Sequence, residues 1–285
     1  MTPDRQGSGA TRIEADLSTT RGEMKLMRRA SSCLAVLGLA TLALALPGAA
    51  SATPTVTFKA KVVPISGFPG TGNILGAGAA VESEFHISGT EYGGFPPPLI
   101  HVNVFLPKGT VLHPSGFPVC QPSVLEPSGK GPKGCPKGSQ AGPVGEGSGD
   151  VAFGSEVVPE SVTIQGFYAP GGGLEFFTFG HTPVLLEILS KGHFTSASGA
   201  FGKEFEADVP LVETVPGAQD ASVSFIKVKT GSAIKSHGKT IYYGRVPTTC
   251  KKSLPAKAEL TFAGLGGLTE QTVTVETTLP CPRKK

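Results

Sequence analysis

The chain of 285 residues carries 39 glycines, 25 prolines and no tryptophan, with only 16% charged residues and a formal net charge of +3. So small a charge argues against nucleic acid or an anionic membrane surface as partner. The composition excludes collagen, coiled coil and polytopic membrane protein, and leaves a secreted, turn-rich, β-dominated body.

The front of the chain reads as an export leader. Met24-Lys25-Leu26-Met27-Arg28-Arg29 is a basic region, Cys33 to Leu46 is an apolar run of 14 residues, and Pro47-Gly48 then precedes Ala50-Ser51-Ala52. Charge, apolar core, helix breaker and small-x-small cleavage site follow in the order that a secretory signal peptide requires. At about 1.5 Å per residue the apolar helix reaches roughly 21 Å, short of the ~30 Å hydrocarbon core, so no mature transmembrane segment is expected. Residues 1 to 23 are polar and unsuited to such a leader, which points to a translation start at Met24 or Met27. Cys33 precedes the apolar core, where a lipidated cysteine would follow it. The expected division is a leader over residues 1–52, cleaved after Ala52, and a mature body over 53–285.

Within that body, short alternating or doubly apolar runs are separated by turn residues. The pattern predicts strands at Thr55–Val63, Ala79–Ile87, Leu99–Phe105, Val151–Phe153, Ser161–Ala169 and Leu174–Phe179. It continues with Val184–Ser190, Glu204–Val209, Ala221–Lys229, Thr240–Val246, Ala256–Phe262 and Thr272–Thr278. About a dozen strands without helical periodicity predict an all-β fold, an antiparallel β-sandwich of jelly-roll-like or Ig-like kind. Gly-Phe-Pro recurs at 67–69, 94–96 and 116–118, which reads as a reused turn anchored by its Phe. A split into two lobes would fall near 129–149, although a long excursion from one sandwich explains that glycine-rich stretch equally well.

Four cysteines lie in the body: Cys120, Cys135, Cys250 and Cys281. An even number in an exported protein suggests disulfides, with three possible connectivities. Sequence proximity favours Cys120–Cys135 and Cys250–Cys281. The short C-x-x-C pairs of a zinc site are absent.

The search for chemistry is mostly negative. Gly238-Lys239-Thr240 resembles the end of a phosphate loop, but Ala233 stands where its first glycine is required. No nucleophile elbow, dinucleotide loop or calcium loop is complete, and no cofactor is expected. The best catalytic candidates are Glu204, Glu206 and Asp208, which share one face of a strand with Phe205, Ala207 and Val209 opposite. Such a row resembles the catalytic strand of retaining jelly-roll β-glucanases, Glu-x-Asp-x-Glu, and departs from it at two of three positions. The resemblance implies a nucleophile and an acid/base about 5–5.5 Å apart. Glu82, Glu84 and His86 form a second row that could hold a metal if pairing brought its members together. His101 and Asn103 form a third.

The C-terminal stretches Gly244–Cys250, Ala258–Gly264 and Leu279–Pro282 resemble the ending of secreted β-rich proteins of high-GC actinobacteria that have no assigned activity. The resemblance covers the end of the chain well and the rest loosely. It implies an envelope or extracellular setting and transfers no catalytic residue. The resulting expectation is an exported, non-enzymatic binding or structural module of the envelope or extracellular space, its ligand unknown. The alternative is a secreted glycoside hydrolase using Glu204, Glu206 and Asp208.

Overall fold

A computed structural model describes residues 53–153, 156–214 and 216–284, so the leader assigned to 1–52 lies outside the described residues. The fold is all-β and antiparallel throughout its main sheet. The strands are β1 (Thr55–Val63), β2 (Ala80–Ser88), β3 (Leu99–Pro107), β4 (Val111–Leu112), β5 (Gly145–Phe153) and β6 (Glu156–Tyr168). Then come β7 (Leu174–Gly180), β8 (Leu186–Thr195), β9 (Phe201–Asp208), β10 (Ser222–Thr230) and β11 (Ala233–Ser236). The chain ends with β12 (Lys239–Tyr242), β13 (Gly244–Arg245), β14 (Ser253–Phe262) and β15 (Gln271–Pro280). Among the described residues the one α-helical turn is α1 (Pro122–Leu125), and no helix there is long and apolar enough to cross a membrane.

Eleven strands form a single sheet in the order β1-β2-β10-β5-β6-β7-β8-β9-β3-β14-β15. Strands β5 to β9 are a meander. The later β10 is threaded between β2 and β5, and the early β3 between β9 and β14. The sheet coils until its terminal strands, β1 and β15, lie alongside each other, so the body is nearly barrel-shaped. The two packed faces of the sandwich-like fold are thus opposite walls of one sheet.

Alternation explains which side chains go inside. On β14, Leu254, Ala256, Ala258, Leu260 and Phe262 are all buried, and the residues between them are half-exposed. They pack with Val56 and Phe58 of β1, Phe85 and Ile87 of β2, and Leu279 of β15. Burial of such side chains at roughly 1.5–3 kcal/mol each is the main source of stability. One end of the interior is closed by aromatic rings. Tyr168 and Tyr243 stack with centroids 4.3 Å apart, and Phe117 packs edge-on to Tyr243 at 5.5 Å. Their hydroxyls are satisfied by Ser232 Oγ at 2.7 Å and by donation to the Gly172 carbonyl at 2.8 Å.

Two of the three Gly-Phe-Pro turns carry the expected anchor, while Phe68 is only partly buried. Gly67, Gly94 and Gly116 all have positive φ, which favours glycine, and Phe95 and Phe117 are buried anchors. Two disulfides form, Cys120–Cys135 and Cys250–Cys281, in the pairing that proximity favoured. They fit an oxidising compartment. The first staples a flap that lies over the outer face of β6 to β8. Leu125 of α1, fully buried, anchors the flap on Phe167, Phe177 and Leu189. The glycine-rich stretch that follows runs into β5 of the same sheet.

Candidate functional site

The three sequence-predicted carboxylates lie on the outer face of β9. Phe205 and Ala207, between them, line the interior instead. Register places Glu206 opposite Asn103 and Asp208 opposite His101. Asn103 Nδ2 donates to Glu204 at 2.7 Å, Thr195 Oγ1 donates to Glu206 at 2.7 Å, and His101 Nδ1 lies 2.8 Å from Asp208. His193 stands 3.9 Å from the other oxygen of Glu206. Pairing therefore joins the first and third sequence-predicted rows into one polar patch. The Asp208 side chain is 85% exposed, and the patch sits on the side of the strand away from the interior.

The second row is held by lysines. Glu84 Oε1 accepts a hydrogen bond from Lys59 Nζ at 3.0 Å and lies 3.0 Å from His86 Nε2. Lys227 approaches its other oxygen at 4.0 Å, and Lys61 lies 3.7 Å from Glu82. The hydrogen bond with His86, then that from Lys59, holds the Glu84 carboxyl down at about 2. Register explains the pairing: lysines of β1 and β10 flank the acids of β2 on both sides. No group of three or more His, Cys, Asp or Glu is placed to hold a metal ion among the described residues.

A different feature is the interior of the coiled sheet. It holds a partly open cavity of about 270 Å³ walled mostly by apolar side chains, among them Val81, Val104, Val162, Ile188 and Phe205. For scale, ~150 Å³ suffices for a benzene-sized guest and ligand pockets commonly start near 300 Å³. The room arises locally on β5. Gly145, Gly147 and Gly149 pair with Ile164, Val162 and Glu160, so three successive inward positions of this strand carry no side chain, and the next one, Val151, is buried. A Cβ at Gly149 would overlap the Ser222 carbonyl, which requires glycine where β10 approaches.

Two residues of the lining belong to charged types: Arg245, which donates to the Gly76 carbonyl and lies over the Tyr242 ring, and Glu160. Glu160 is 1% exposed. Its Oε1 accepts from the Thr182 amide at 3.2 Å and its Oε2 from the Val184 amide at 3.4 Å. No cation lies within ion-pair range of it among the described residues. Gly180 makes the room, since a Cβ there would stand 2.6 Å from Oε1. Sequence reasoning passed over Glu160, although a signal was present. Val158, Glu160, Val162 and Ile164 occupy one alternating face, and an acid in such a row is conspicuous.

A second buried acid, Glu175, lies beneath the flap. Its side chain is 3% exposed and Oε2 has no hydrogen-bond partner. Burial pushes its carboxyl up to about 7, opposed by Lys191 and reinforced by Glu126. Those two neighbours pair with each other at 2.8 Å.

No known protein family, curated protein or solved structure matches the chain.

Proposed function

We propose that this is an exported, non-enzymatic binding protein of the envelope or extracellular space, which takes a small apolar ligand into the interior of its coiled sheet. The observation that carries the reading is the cavity of about 270 Å³ with its largely apolar wall. A space of that kind gains free energy by exchanging poorly bound water for an apolar guest. Export is supported by the order of elements in the leader and by two disulfides. The glycoside hydrolase alternative would place its carboxylates on a solvent-facing surface, where Asn103, Thr195 and His101 already engage them.

The test is titration of the full chain with the neutral fluorophore N-phenyl-1-naphthylamine. Saturable enhancement that is lost in Val162→Phe, with unchanged circular dichroism, is the expected result. Absence of enhancement in the wild type would overturn the reading. Turnover of a polysaccharide that disappears in Glu204→Gln would establish the hydrolase instead.

A further inference from the structure

Resting on that reading, we infer that the ligand is a small apolar molecule bearing one protonated amine, whose ammonium group is received by Glu160 at one end of the cavity. An apolar wall alone needs no carboxylate. Burying one is costly unless a cation or good hydrogen-bond donors compensate it. Here the only partners are two backbone amides, at 3.2 and 3.4 Å, the long end of the useful range. That leaves acceptor capacity on both oxygens.

Glu160 of β6 pairs with Gly149 of β5, which in turn pairs with Val223 of β10. Beside the acid, therefore, β5 contributes no side chain. An ammonium has three donors and no acceptor, so it matches a carboxylate with spare acceptor capacity. A carboxylate head group would meet like charge, and a neutral alcohol offers only one donor.

Displacement of N-phenyl-1-naphthylamine from the full chain by octylamine, octanol and octanoate tests the inference. A charge-assisted pair predicts that octylamine displaces the dye at a concentration about tenfold lower than the other two. Glu160→Gln keeps an acceptor for the amides and should abolish that preference while leaving octanol unchanged. Thermal unfolding of the variant confirms that it is folded. Equal potency of the three probes on wild type, or a preference that survives Glu160→Gln, overturns the amine inference while leaving the apolar site standing. Failure of the dye to bind wild type at all overturns both.

Discussion

Strands β14 and β5 obey the same alternation and fill the interior differently. On β14 the inward residues are Leu254, Ala256, Ala258, Leu260 and Phe262, which meet the large side chains of β1, β2 and β15 and leave a dense core. On β5 three inward positions are glycine, and the opposite wall has nothing to meet there. Periodicity thus decides which face is inside, whereas side-chain size decides whether the inside is solid. The two regions meet in one interior, since Leu254, Ala256 and Leu279 of the packed side also line the cavity.

The comparison is broken most directly by emptying the packed half. Leu260→Ala should cost about 2–5 kcal/mol of unfolding free energy in a denaturant titration, because Leu260 is fully buried. Removing the Cys250–Cys281 bridge, which ties the start of the packed hairpin to its end, should cost about 2–4 kcal/mol.

The next effect belongs to the outer face. Glu175 has its carboxyl raised in the folded state to about 7, so the folded chain holds a proton that the unfolded chain releases near 4.5. Stability from this group is therefore full below about 4.5 and falls as pH rises to about 7, by up to about 3 kcal/mol. Glu175→Gln should flatten that slope and raise the melting temperature at pH 8, as read by calorimetry at a series of pH values. A slope unchanged by the substitution would remove Glu175 as its cause. The smallest effect is expected in the open half. Val162→Phe should cost less than the ~1–3 kcal/mol of overfilling a packed core, since it grows into vacant space.

The sequence announced the fold where alternation is carried by side chains. Thr55–Val63 is read to the residue, and β14 and β15 are placed within a few residues of their observed ends. It was silent where glycine replaces them. Gly145 to Asp150 extend β5 well upstream of the short run Val151–Phe153, because backbone pairing to β6 and β10 needs no side chain. Strand β11 was missed and the run Thr240–Val246 divides into two elements, β12 and β13. The available signal was His237-Gly238, whose positive φ values fit the two-residue hairpin turn joining β11 to β12. The carboxylate rows were legible as rows, since period two is local. Their partners were not, because Lys59 against Glu84 or His101 against Asp208 depends on register between distant strands. Glu160 needed both kinds of information: its face from the alternation, and its surroundings from the coil of the sheet.

The staple on the flap has a consequence for survival among secreted proteases. Lys130 and Lys133 lie exposed between Cys120 and Cys135, where a trypsin-like enzyme can reach them. Scission there separates the polypeptide in sequence but not in space, because the bridge spans the cut and Leu125 keeps its hold on the sheet. A nicked molecule would migrate as one species without reductant and as two with it, and would keep its architecture meanwhile.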